Sequence, residues 1–280
     1  MQTTRREFVK TTVACAFGMS LGHSTSIAAE KRIPIGFQLY TVRGEFSRDV
    51  PGTLKKLSEI GYKAVEFWGY AGTPTVYQKY SAADLRKLLD ANHLKCCGIH
   101  LELKALEPAN FNQTVENSQT LGNQYLNVAM AKDKMSSEKG IAELAEFLNE
   151  TAVKCRPHKM TVGYHSHGFD FAKINGHFAW ELLFKRTQPE VNMQLDVGNA
   201  LDGNGDPIAM LNEFPGRTRT THIKEHEDKT FDSDFYKEVF HLFETISGTK
   251  WYIVEMGGPS GDGFDIPREA FMKLKQLGKA

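Results

Sequence analysis

The chain has 280 residues, with 34 Lys plus Arg against 34 Asp plus Glu and therefore no net formal charge. A neutral chain offers no basic field for a phosphate backbone, which argues against a nucleic-acid partner. Its four cysteines are too few for a disulfide framework, and no run reaches the roughly 18 consecutive apolar residues of a membrane span.

The first segment stands apart in composition. Thr4-Arg5-Arg6-Glu7-Phe8-Val9-Lys10 is followed by the weakly apolar TTVACAFGMSLG and by Ser26-Ile27-Ala28-Ala29. A basic head, a short apolar middle and small residues at a cleavage site predict a bacterial export signal over 1–29. The paired arginines give it the twin-arginine form, a receptor-read address for folded proteins. The competing reading is a basic amphipathic helix, which Gly18 and Gly22 would weaken. Export would place the remaining 30–280 in the periplasm, with Cys15 discarded and Cys96, Cys97 and Cys155 kept as buried apolar thiols.

From Ile33 onward, short β-branched runs alternate with amphipathic stretches and no linker intervenes, which predicts a single α/β domain. IPIGFQLY (33–40) leads to a helix from about Val50, with Leu54, Leu57 and Ile60 spaced at three, Pro51 in its first turn and Gly61 at its end. KAVEFWG precedes SAADLRKLLDANHL, where Ser81 caps a helix and Leu85, Leu88 and Leu89 form its apolar stripe. LKCCGIHLEL (94–103) and YLNVAMA (125–131) enclose a further helix, and a longer one runs from Ser136 or Ser137 to about Cys155, before Pro157. MTVGYHSH (160–167), VNMQLDVG (191–198), RTRTTHIKEH (217–226) and KWYIVEMGG (250–258) are the remaining strands, with helices near 177–187, 206–214, 232–247 and 267–278. Eight strand-helix units over about 250 residues predict a (β/α)8 TIM barrel. The alternative is a doubly wound open sheet, but the first strand runs into QLYTVRG instead of a Gly-rich phosphate turn, and no P-loop is present.

Polar residues gather where strands end. Glu66, His100, His165 with His167, Asp196, His222 with Lys224, and Glu255 each follow the apolar run of a different strand. In a barrel those ends surround one mouth, so the side chains converge. A lone carboxylate or imidazole buried there would cost several kcal/mol unless paired or metal-bound. Each has a structural alternative: His100 as a hydrogen-bonded core histidine, Glu66 as a partner for a lysine or an amide, Lys224 in a salt bridge to Glu255. Nitrogen and oxygen donors without thiolate suit one Mn, Co, Zn, Fe or Mg ion. Such an ion acts as a Lewis acid on a carbonyl while a rim carboxylate or imidazole takes a carbon-bound proton. Trp68 could stack on a sugar ring or pack in the core, and Arg43 could bind ligand or pair with Glu45.

The segments GFQLYTVR, GTLKKLSEIGYKAVEFWG, YHSHGFDF, QLDVGNAL, THIKEH and VEMGG together resemble the xylose-isomerase-like TIM-barrel superfamily of sugar isomerases and epimerases, over about 33–277. The resemblance implies one divalent metal on His165, Asp196, His222 and Glu255, and leaves Glu66, His100, His167 and Lys224 as catalytic candidates. Two departures stand out: His165 occupies a place where ketose epimerases carry a carboxylate, and Asn199 one where many relatives carry a substrate-binding His. The YHxHxF(D/E)F pattern also resembles enzymes that act on 3-keto-glycosides, expelling the C1 substituent to give a 2-hydroxyglycal. The expectation is therefore a metal-dependent enzyme that removes a proton α to the carbonyl of an unphosphorylated sugar. Its rivals are a catalytically silent sugar-binding barrel and, against the neutral charge, a nuclease. Homo-oligomerisation stays open at this point.

Overall fold

The computed structural model describes residues 32–256 and 263–280, so the export signal expected over 1–29 lies outside the described residues. Eight strands form one parallel sheet: β1 Ile35–Gln38, β2 Ala64–Tyr70, β3 Lys95–Leu101, β4 Tyr125–Val128, β5 Thr161–His165, β6 Asn192–Gln194, β7 Thr220–Ile223 and β8 Trp251–Val254. Their spatial order is β6-β5-β4-β3-β2-β1-β8-β7. The ends of that series meet, because Met193 N donates to Arg217 O at 2.8 Å, His222 N to Leu195 O at 3.0 Å, and Asp196 bridges His222 in parallel. The result is the expected (β/α)8 barrel, nearly closed.

Eight outer helices follow the strands in turn: α1 Val50–Ile60, α2 Ala82–Ala91, α3 Phe111–Leu121, α4 Glu138–Cys155, α5 Ala179–Arg186, α6 Pro207–Glu213, α7 Asp234–Thr245 and α8 Asp265–Gln276. Local signals fix their starts. Asp49 accepts from Gly52 N ahead of α1, Ser81 and Asp84 form a capping box on α2, and Ser137 accepts from Gly140 N on α4. Leu54, Leu57, Leu85 and Leu89 are fully buried against the barrel, whereas Leu88 lies at the margin. No helix among the described residues is long and apolar enough to cross a membrane.

Most strands are shorter than their apolar runs, and at β1 and β6 the reason is local, because a polar side chain turns back on the backbone. The Gln38 side chain accepts from Tyr40 N at 3.1 Å and starts a 3-10 turn, and Asp196 accepts from Asn199 N at 2.8 Å to cap the short helix Val197–Asp202. His167 and Lys224 consequently lie beyond the ends of β5 and β7 and are carried by loops, not by strand alternation.

Inside the barrel the filling is polar where branched apolar layers are usual. Asn192 Nδ2 donates to Asn127 Oδ1 at 3.0 Å and to Thr220 Oγ1 at 2.9 Å, while Asn192 Oδ1 accepts from Arg219 N at 2.8 Å. Glycine provides the room: a Cβ on Gly163 would stand 2.4 Å from Asn127 Oδ1. Between β2 and β3 the register slips so that Val65 pairs with Cys96 and Glu66 with Gly98. That bulge turns both Cys97 and Gly98 inward, and a Cβ on Gly98 would lie 2.1 Å from Glu66 Oε1.

Candidate metal centre

Above this polar floor lies a lower tier built around Glu66, which is wholly buried. Its Oε2 accepts from Gln38 Nε2 at 2.8 Å and lies 2.6 Å from His222 Nε2 and 3.2 Å from His100 Nε2, while Oε1 accepts from Gln194 Nε2 at 2.9 Å. His100 Nε2 also stands 2.9 Å from Gln194 Oε1, and the His100 ring stacks on His222 with centroids 5.1 Å apart. Burial pushes the Glu66 carboxyl up, but the charges of His100 and His222 and the hydrogen bonds from His222 and Gln194 outweigh it and hold the group below its ordinary value.

The tier above contains the four expected ligands. Single donor atoms of His165, Asp196, His222 and Glu255 all lie within 4.8 Å of one another. His222 Nδ1 is 2.6 Å from Glu255 Oε2 and 3.8 Å from Asp196 Oδ2, and His165 Nε2 is 3.9 Å from Glu255 Oε2. Two buried polar atoms, Asp196 Oδ2 and His165 Nδ1, make no hydrogen bond, and the carboxylate oxygen has only the Lys224 ammonium at 3.4 Å. Buried polar atoms so sparsely partnered are costly, and a bound cation would supply the missing partner at the carboxylate. Burial, reinforced by the neighbouring His100 and His222, holds the His165 imidazole well below its ordinary value and so keeps a lone pair available. His222 goes the other way: burial opposes its charge, but Glu66 and Glu255 raise it to about 10. Glu255 is correspondingly held down to about 2, since His222 outweighs the effect of burial. Three carboxylates, Glu66, Asp196 and Glu255, surround His222, and a divalent ion together with the Lys224 ammonium would balance their charge once that imidazole is neutral. The donor set fits a metal.

The rim carries the remaining predicted residues. His167 N donates to Asp170 Oδ2 at 2.7 Å; Asp170 Oδ1 accepts from Tyr164 Oη at 3.1 Å, and that oxygen accepts from Ala131 N at 3.1 Å. This chain ties the loop after β5 to the loop after β4 and brings the His167 ring to 4.9 Å from His165, stacked on Phe169. His167 Nδ1 is buried without a partner, and burial lowers the ring's affinity for a proton. Lys224 runs across the face of Gly198 and donates from Nζ to Asn199 Oδ1 at 2.5 Å, with Asp196 Oδ2 at 3.4 Å. Asn199 in turn donates to Ser166 O at 2.8 Å. Burial disfavours the ammonium, but Asp196 and Glu255 raise its pKa overall, so Lys224 stays charged.

Two of the alternative pairings do not form. Lys224 pairs with Asp196 and not with Glu255, because the Gly198 surface steers it to that side. Glu45 pairs with Arg48 at 2.9 Å, leaving Arg43 to donate to Tyr40 O at 3.1 Å and to lie 4.6 Å over the Tyr40 ring. Trp68 is half-buried among Tyr40, Phe46 and Tyr77, with ring centroids 5.0 to 5.8 Å away, and forms an aromatic wall. Gln38, Gln194 and Ser166 escaped the sequence reading. The two glutamines had a signal in IGFQ and NMQ, where an amide in an apolar strand demands a buried partner.

Fold and site together define a (β/α)8 barrel whose mouth holds a buried His/Asp/Glu cluster that could bind a metal. The chain belongs to the xylose isomerase-like TIM barrel family, whose model matches residues 54–277. Among solved structures it is similar to a sugar phosphate isomerase/epimerase from Parabacteroides distasonis ATCC 8503, with TM-score 0.75 and 20% identity over 89% of this chain and 97% of that one. It is also similar to D-psicose 3-epimerase studied in the presence of D-fructose, with TM-score 0.63 and 14% identity over 89% of this chain and 100% of that one. The IolI protein, in a structure with a zinc atom, aligns with TM-score 0.61 and 16% identity over 88% of this chain and 98% of that one. Among curated proteins none matches the sequence significantly.

Proposed function

We propose that this protein is a divalent-metal-dependent enzyme that abstracts the proton α to the carbonyl of an unphosphorylated sugar. The observation that carries the reading is the convergence of single donor atoms of His165, Asp196, His222 and Glu255 within 4.8 Å of one another in a buried pocket of the barrel mouth. One Mn, Co, Zn or Mg ion on those residues would supply Lewis-acid polarisation of the substrate carbonyl. The chain's own groups divide the remaining work. His167, neutral and with a ring nitrogen unengaged, takes the carbon-bound proton. Lys224 keeps its proton and stabilises the developing negative oxygen, held in place by Asn199 and Asp196. Trp68 and Arg43, which both pack on Tyr40, would contact the sugar, whereas Glu66 and His100 lie beneath and support the site from below.

The solved structures it is similar to bear names from sugar and sugar phosphate isomerisation and epimerisation, which supports a sugar as the substrate. An export signal over 1–29 would bring the enzyme to the periplasm, where unphosphorylated glycosides are met more often than sugar phosphates. A second reading, β-elimination from a 3-keto-glycoside to a 2-hydroxyglycal, is favoured by His165. With an imidazole there, Glu255 lacks the opposing carboxylate that two-sided ketose epimerisation uses. Both outcomes share the first proton removal. Incubating the metal-loaded protein with a 3-keto-glucoside and with free ketoses, followed by mass spectrometry, separates them: loss of the aglycone marks elimination, and an isomeric product marks isomerisation. A pure sugar binder changes neither substrate, and that result sinks the proposal.

A further inference from the structure

The lower tier is satisfied in a way that a second ion site would not be. His100, His165 and His222 have nitrogens close enough to share a metal, yet His100 Nε2 is taken by Gln194 and Glu66, and His222 Nε2 by Glu66. Glu66 is therefore the organiser of this tier. Its own position is over-determined: Gln38 and Gln194 each donate an amide hydrogen to it, and the bulge at Cys97 presents Gly98 where any side chain would strike Oε1.

We propose that Glu66 is the positioning residue of the metal centre: by accepting the Nε2 hydrogen of His222 at 2.6 Å, it fixes that ring so that Nδ1 faces Asp196 and Glu255. The inference rests on the metal reading above and adds to it the element that sets the ion's affinity. A histidine ligand whose far nitrogen donates to a carboxylate is locked in tautomer and orientation and made more basic, and loss of such a partner typically weakens metal binding about 10–100-fold. Glu66 is not one of the four donors and touches their cluster only at His222 Nε2, wholly buried beneath it, so it acts through His222 and not on substrate.

The test is titration of the metal-free protein with Co(II), read by calorimetry and by the visible ligand-field spectrum. The variants are Glu66→Gln, Glu66→Leu and Gly98→Ala, with circular dichroism as the check on folding. Glu66→Gln retains a neutral acceptor for His222 once the Gln194 amide rotates, so about a 10-fold loss of affinity is expected; Glu66→Leu removes the acceptor, and about 100-fold is expected. Gly98→Ala keeps the carboxylate but pushes it from its place, and should weaken binding and shift the cobalt bands. Wild-type affinity and spectrum in all folded variants would overturn the role given to Glu66. A wild type that takes up no cobalt would overturn the metal reading itself, and this inference with it.

Discussion

Replacing Gly198 by alanine is a small change with a large expected consequence. A Cβ at that position would lie 2.3 Å from Lys224 Cε, 2.4 Å from Cγ and 2.8 Å from Cδ, so the lysine chain must leave the surface it crosses. The cost to the fold is small, because the displaced atoms belong to a flexible side chain and Gly198 sits within the helix Val197–Asp202, where alanine is favoured over glycine by about 1 kcal/mol. The cost to the chemistry is not small. Displacement takes the ammonium from Asn199 Oδ1 and Asp196 Oδ2, and losing one charge-stabilising donor at a developing oxyanion lowers kcat by about 10²–10³. Gly198→Ala should therefore match Lys224→Met in kcat and keep wild-type thermal stability within about 1 kcal/mol. The double variant should be no worse than either alone, since both remove the same interaction. The assay is steady-state turnover of the keto-sugar identified by mass spectrometry, alongside a melting curve. Full turnover in Gly198→Ala, or additive losses in the double variant, would refute the role given to Lys224.

Asp196→Ala and His222→Ala should each abolish stoichiometric metal uptake and turnover together, measured by plasma emission and substrate loss. Burial raises the Asp170 carboxyl from 3.8 to about 7, so the native state retains a proton that the unfolded chain releases. Its contribution to stability is then greatest below about pH 4 and is lost as pH rises to about 7, by at most about 4 kcal/mol. Denaturant unfolding of the metal-free protein should accordingly show wild type losing ground to Asp170→Asn between pH 5 and 7 and no further above; parallel curves would contradict this. Burial also raises Cys96 and Cys155 to about 12 and Cys97 well above its ordinary value, so these three thiols should react with Ellman's reagent only after unfolding.

Much of this was legible in the chain. Eight apolar runs gave the barrel, and the polar residues placed at the ends of six of them gave the end where the side chains gather, because strand ends of a (β/α)8 fold share one mouth. The four-donor cluster at His165, Asp196, His222 and Glu255 forms where the resemblance placed it. What sequence could not give was depth. Both Glu66 and Glu255 were expected at strand ends, but Glu66 is the third residue of β2 and lies under His222, whereas Glu255 follows β8 and lies beside it; the bulge opposite Glu66 and Gly98 make room for the deeper carboxylate. His167 and Lys224 were expected at strand ends beside His165 and His222, but the ladders stop before them, and it is Asp170 in one loop and Gly198 under the other that bring them to the rim. The polar barrel floor of Asn127, Asn192 and Thr220 was invisible for a related reason: single amides in apolar strands reveal their partners only once the strands are side by side.

Solvent exchange tests the central claim most directly. In deuterium oxide, the protein loaded with one divalent ion should place a single deuterium on the carbon next to the carbonyl of a bound keto-sugar, or release a 2-hydroxyglycal. Chelation should abolish the activity, re-addition of the ion should restore it, and His167→Ala should lack it while still binding the metal. Exchange that continues undiminished in the folded, metal-free protein would contradict the account.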